Sequence, residues 1–148
     1  MSTFDEYSAR SLGFKVNKTA RLIGQQLTHN FKSHNYDVSL EHWRILLFLW
    51  KEDGQSQTSL ATSTQKDEPS VSRILNTMEK HDLVVRKRHP EDRRTNLIYL
   101  TERGKNLRDG LMAMGSLTNN EATDGINPEE LVKCMKTLDK IAGNLMSV

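Results

Sequence analysis

The sequence predicts a mainly α-helical chain with one small β-hairpin, an α+β fold in a single domain, and three observations carry that expectation. Apolar residues recur at helical spacing along most of the chain: Val16, Ala20, Ile23, Leu27 and Phe31 near its start, Val71, Ile74, Leu75 and Met78 in the middle, and Leu131, Cys134, Met135, Leu138, Ile141, Ala142 and Leu145 near its end. The period changes at one place, residues 83–88 and 96–100, where short runs of β-branched, aromatic and leucine residues flank a charged turn from His89 to Thr95. No linker, repeat or low-complexity tract divides the 148 residues, and 36% hydrophobic with 27% charged content suits one folded unit.

Taken in order, the first helix falls within residues 5–35. The next, residues 40–51 (LEHWRILLFLWK), is apolar on most sides and belongs at the centre of the subunit. Its run ILLFLW is the longest apolar stretch, far short of the roughly 20 residues that cross a bilayer. The start MSTFDEYSAR shows no apolar core of a signal peptide, so a cytoplasmic protein without membrane association is expected.

A helix over residues 67–81 follows, with Asp67 or Glu68 as N-cap and Pro69 in the first turn. On a helical wheel Val71, Ile74, Leu75 and Met78 share one side. Pro69, Arg73, Asn76 and Lys80 lie opposite, flanked by Lys66, Ser70, Ser72 and Thr77. These are base-reading and phosphate-binding residue types, although an ordinary solvated face has the same composition. The hairpin adds Arg86, Lys87, Arg88, Arg93 and Arg94 against only Glu91 and Asp92, a local excess of +3 on a chain whose total is +2. Asp92 is placed to pair with Arg94 and stiffen the tip, leaving Arg93 to project. Thr101 then caps a helix carrying Leu107, Leu111 and Met114, expected to bend at Gly110 and Gly115, each costing about 1 kcal/mol relative to alanine. A polar-faced helix followed by a basic hairpin is the order in which a winged helix-turn-helix addresses double-stranded DNA.

The segments PSVSR, LVVRKRHPEDRR and YLTERG resemble the multiple antibiotic resistance regulator (MarR) family of bacterial transcription factors, with the Pro-Ser-x-x-Arg opening similar to its SlyA branch. The resemblance is strongest over residues 43–104. It implies a single MarR-type domain over residues 1–148, with a winged DNA-binding lobe over about 38–103 and dimerisation helices over about 5–35 and 104–148. It further implies that Pro69, Ser70 and Arg73 address base edges in the major groove and Arg93 the minor groove, that Asp92 and Arg94 form a wing clasp, and that Thr64, Lys66, Ser72 and Thr77 contact phosphates, with Asn76 on the same face. Two features depart from the pattern. Asp82 stands where the family usually has glycine, at a spot expected to need a left-handed backbone. Asp67 and Glu68 place negative charge at the entrance of the reading helix, favouring its dipole but opposing nearby phosphate.

Three helices outside a compact winged unit cannot all bury their apolar stripes against it, so a twofold homodimer is expected. The family is mostly ligand-responsive repressors on pseudo-palindromic operators. By that resemblance His42, Trp43 and Arg44 are candidate pocket residues for a small aromatic or anionic effector, while a core tryptophan and a surface arginine explain the last two equally. Metal sensing by His29, His34, His42 and Glu41 is an alternative, although no metal-ligand spacing appears and no metal or cofactor is expected. The one cysteine, Cys134, excludes an internal disulfide and sits on a packing stripe; a redox-sensing thiol is its functional alternative. No phosphate loop, nucleophile elbow or paired-carboxylate pattern supports an enzyme. The remaining rival is a winged protein-interaction module without DNA, which has no need of Arg73, Arg93 and Arg94 together.

Overall fold

The computed structural model describes residues 3–146. In chain order it contains α1 (Thr3–Arg10), α2 (Leu12–Ser33), α3 (Leu40–Lys51), β1 (Gln55–Ser56), α4 (Gln57–Thr64), α5 (Glu68–Lys80), β2 (Val84–Arg88), β3 (Asn96–Leu100), α6 (Glu102–Asn106), α7 (Arg108–Ala122) and α8 (Pro128–Met146). Five helices start on a side chain that accepts a backbone N–H three residues on: Ser11, Ser39, Ser56, Asp67 and Thr101. Each satisfies a donor that the first helical turn leaves without an intrahelical partner.

The three strands form an antiparallel sheet in the order β1-β3-β2. β1 has no counterpart in the sequence reading. Its two residues, Gln55 and Ser56, lack strand-forming side chains and are extended because they pair with Ile98 and Leu97 on the free edge of β3. The lobe's core is closed by α3 (Ile45, Leu46, Leu49), α4 (Leu60), α5 (Val71, Ile74, Leu75, Met78) and the hairpin (Leu83, Val84, Ile98, Leu100), all buried.

Asp82, at the turn from α5 into β2, has φ 55°, the left-handed conformation an aspartate tolerates better than most residues. Nineteen residues further on, the hairpin returns to the same spot. The Thr101 hydroxyl donates to the Asp82 carbonyl at 2.6 Å, its backbone N–H to the Leu83 carbonyl at 3.1 Å, and Gly104 is so close to that carbonyl that a Cβ would collide with it. Leu-Thr-x-x-Gly is therefore the lock that closes the lobe.

The helix after Thr101 differs from expectation. It breaks at Leu107 into α6 and α7 rather than bending at Gly110 or Gly115. Both glycines instead admit neighbours: the Tyr36 hydroxyl lies over Gly110, and the Trp43 indole is 3.2 Å from where a Cβ on Gly115 would stand. α7 packs along α2, Leu27, Phe31, Leu111 and Met114 are all buried in the core, and a polar tie crosses between the two helices: Asn30 Nδ2 donates to Thr118 Oγ1 at 2.9 Å and Glu121 Oε1 at 2.7 Å. α1 and α8 bury no residue at all.

Candidate nucleic-acid interface

α4, the turn through Gln65 and α5 form the helix-turn-helix, with Gln65 in the left-handed region at φ 55°. Asp67 Oδ1 accepts the Ser70 N–H at 2.7 Å, and that bond holds the Asp67 carboxyl below its usual range. Glu68 does not stand free at the entrance, because its carboxylate accepts from the Thr58 hydroxyl at 2.7 Å. Pro69, Arg73, Asn76 and Lys80 are exposed, and Ser70 and Lys66 half-buried.

Two of the expected phosphate contacts require correction. Thr77 donates its hydroxyl proton to the Ile74 carbonyl at 2.7 Å, and Thr64 donates its own to the Leu60 carbonyl at 2.7 Å. A hydroxyl has one proton to give, so neither is a free phosphate donor. Ser72, by contrast, accepts from Arg86 Nη2 at 3.2 Å and keeps its proton.

The wing is the β2–β3 hairpin, in register from Val84↔Leu100 to Arg88↔Asn96. Its tip is held by Asp92, but not through an ion pair with the Arg94 guanidinium as expected. Asp92 Oδ1 accepts the backbone N–H of Arg94 at 3.0 Å and Oδ2 the Thr95 hydroxyl at 3.1 Å, an aspartate turn that leaves the Arg94 head free. His89 Nδ1 closes the other side by accepting the N–H groups of Glu91 and Asp92 at 3.1 and 3.2 Å. Arg88, Arg93 and Arg94 are exposed, and among the described residues no carboxylate pairs with them or with Arg73.

Arg86 does not belong to the basic tip. Facing Ile98 across the hairpin, it turns inward and packs against α5, where Nη1 donates to Asn76 Oδ1 at 2.6 Å and Glu79 Oε1 at 2.7 Å, and Nη2 to the Ser72 carbonyl at 2.8 Å. Only 17% of its side chain is exposed. The strand alternation Val84, Arg86 was the signal that could have revealed it.

His42, Trp43 and Arg44 do not share a pocket, since neighbours on a helix point about 100° apart. Trp43 packs edge-on between Phe31 and Trp50, and Arg44 reaches a groove between α2 and α3. His42 faces α5. The Thr77 hydroxyl gives its proton to Ile74, so His42 Nε2 must be the donor in their 2.8 Å bond, leaving Nδ1 a buried lone pair with no partner. Burial above all, then the nearby His81 ring, lowers the His42 pKa below its ordinary value of 6.5, against the opposing pull of Glu41 and Asp37.

His29, His34 and His42 take separate partners, Ser33, the Asn30 carbonyl and Thr77, and among the described residues no group of three or more His, Cys, Asp or Glu converges as metal ligands would. Cys134 is exposed on α8 rather than packed within the chain. Among the described residues no helix is long and apolar enough to cross a membrane.

The fold and this surface define a winged helix-turn-helix protein. The model of the MarR family matches residues 38–95, most of the winged lobe. Solved structures extend the likeness of fold to nearly the whole chain. The transcriptional repressor CouR bound to a 23-mer DNA duplex superposes with a TM-score of 0.83 at 21% identity, covering 92% of this chain and 95% of its own. A MarR transcriptional regulator from Methanosarcina mazei Go1 gives 0.84 at 20%, covering 92% and 96%. CouR from Rhodococcus jostii RHA1 bound to p-coumaroyl-CoA gives 0.77 at 21%, covering 90% and 93%. The chain thus has the architecture of MarR-family transcriptional regulators.

Proposed function

We propose that the protein is a cytoplasmic, sequence-specific DNA-binding regulator, a ligand-responsive repressor that binds a pseudo-palindromic operator as a homodimer. The observation that carries this reading is the conjunction of α5 and the wing: Pro69, Ser70 and Arg73 are presented on one solvent face, and Arg88, Arg93 and Arg94 stand beside it without carboxylate partners among the described residues. α5 enters the major groove, where Arg73 has the fork that grips guanine O6 and N7. Arg93, on a tip stiffened by Asp92 and His89, enters the minor groove, which suits a weakly hydrated guanidinium. Lys66, Ser72 and Arg94 hold phosphates.

The apolar ends supply the dimer. Leu22, Val132, Met135, Leu138 and Leu145 are 40–70% exposed in the single chain, and a twofold partner covers them while setting two reading helices about 34 Å apart. An effector fits the groove of about 500 Å³ between α2 and α3, lined by Arg21 and Arg44 with Ala20, Gly24 and Leu40. Two guanidinia in a groove that Ala20 and Leu40 share with Asn17, Gln25 and Thr28 suit a small aromatic anion, and the CouR complexes with DNA and with an acyl-CoA support regulation of this kind. Such a ligand acts by favouring a helix spacing that does not match successive major grooves.

Fluorescence anisotropy on DNA from upstream of the protein's own gene and on a scrambled duplex, across a salt series, tests the reading. Tight, salt-dependent binding to the first alone is expected. Arg93→Ala weakens it by about 1–3 kcal/mol, and Arg73→Ala also relaxes base preference. Equal, weak binding to both duplexes by wild type and variants would favour a protein-interaction role instead.

A further inference from the structure

We propose that Asn76 reads the major groove as a hydrogen-bond donor only and selects guanine, because Arg86 locks its amide with the carbonyl toward the wing and the NH2 toward the DNA. The proposal rests on the DNA-reading assignment of α5. Its basis is the chemistry of the guanidinium, which has five N–H donors and no acceptor. The group within 2.6 Å of Arg86 Nη1 must therefore be the amide oxygen of Asn76, and the usual ambiguity between amide O and N does not arise.

The guanidinium is itself fixed. Nη1 spends its second proton on Glu79 Oε1 at 2.7 Å, and Nη2 spends both of its own on the carbonyl and hydroxyl of Ser72, at 2.8 and 3.2 Å. Four of its donors are held by α5, and Glu79 balances its charge in a half-buried site. Asn76 is exposed, one turn beyond Arg73 on the same face, and among the described residues its NH2 group donates to no protein acceptor.

Asparagine ordinarily recognises adenine by accepting from N6 while donating to N7, which requires the carbonyl oxygen in the groove. Here that oxygen is held by a charge-assisted bond to the wing. What remains, an NH2 group with two hydrogens, matches the adjacent O6 and N7 acceptors of guanine and meets the N6 donor of adenine with a donor of its own. Arg86 is thus a positioning residue. It determines sequence preference through Asn76 and links wing and reading helix as one rigid unit.

Selection of bound sequences from a randomised duplex pool by the full chain, for wild type, Asn76→Ala and Arg86→Met, tests this. Wild type is expected to yield a motif in which Asn76→Ala flattens one G·C pair per half-site, reducing its guanine preference roughly fivefold or more, while the rest of the motif persists. Arg86→Met frees the amide and moves preference at that same pair toward adenine. Should that variant fail to fold, Arg86→Leu, which likewise offers the amide oxygen no donor, takes its place. A motif in which Asn76→Ala flattens an A·T pair, or none, overturns the proposal and leaves DNA reading intact. An unchanged guanine preference in the Arg86 variant overturns the role of Arg86. A pool from which wild type selects no motif overturns the regulator reading itself, and this inference with it.

Discussion

Leu75 and Leu138 both lie on the apolar stripe of an amphipathic helix, α5 and α8, yet Leu75 is 0% exposed and Leu138 40%. Around Leu75 every neighbouring element of the lobe contributes a buried residue. α8, by contrast, has no buried residue among those described. An apolar stripe specifies a face to be covered but does not say whether the cover is the same chain or another. The lobe completes its core alone, and the ends do not.

Substitution at the two leucines should separate the regions most sharply. Leu75→Ala removes a fully enclosed side chain and is expected to destabilise the lobe by about 2–5 kcal/mol in urea denaturation. Leu138→Asp should leave the lobe's secondary structure intact and instead convert a dimer to a monomer in sedimentation velocity, with DNA affinity falling as one half-site is lost. A Leu138→Asp protein that still sediments as a dimer would break the comparison, since α8 would then be surface rather than interface.

Gly104→Ala gives a smaller effect from the same side of the boundary. The added methyl meets the Leu83 carbonyl, which also accepts the Thr101 N–H, and a backbone oxygen held this way cannot step aside. A loss of about 1–3 kcal/mol is expected, the usual range for overpacking. The same residue's carbonyl accepts the Trp50 indole N–H at 2.9 Å, so tryptophan fluorescence should shift with it. An alanine variant of unchanged stability and spectrum would mean that the lock between α5, β3 and α6 is looser than its geometry.

What the sequence showed of this arrangement followed the range over which each signal acts. The α5 cap, the hairpin strands and the Thr101 cap were legible because each depends on residues a few positions apart. β1 was not, because Gln55 and Ser56 become a strand only through an edge supplied by residues some 40 positions later. Arg86 read as one more charge of the basic tip. Its inward turn depends on hairpin register, which sets Arg86 opposite the buried Ile98. Asp92 was expected to pair with the Arg94 guanidinium, but composition cannot distinguish a guanidinium from a backbone N–H as its partner. The grouping of His42, Trp43 and Arg44 failed for a simpler reason, as three successive helical residues cannot face one cavity.

His42 supplies the smallest effect and the finest test of how the lobe holds its reading helix. Its Nε2–H donates to Thr77 on α5, and its buried Nδ1 has no acceptor to receive a second proton. Burial is the main cause of its lowered pKa, and the His81 ring, 5.5 Å away, adds to it. The sign follows from linkage. The unfolded chain takes up this proton near 6.5 and the folded chain only at lower pH, so the stabilising contribution is complete above 6.5 and is lost as pH falls from there through the folded value. Melting temperatures measured from about pH 7 to about pH 5 should therefore fall more steeply for wild type than for His42→Gln, which keeps an N–H donor for Thr77 but does not titrate. DNA affinity should follow the same difference, because the contact that loosens anchors the C-terminal end of α5. Parallel pH profiles for the two proteins would show that the histidine accepts its proton without disturbing the helix, and that the apolar face of α5, Arg86 and the Thr58–Glu68 bond hold it without His42.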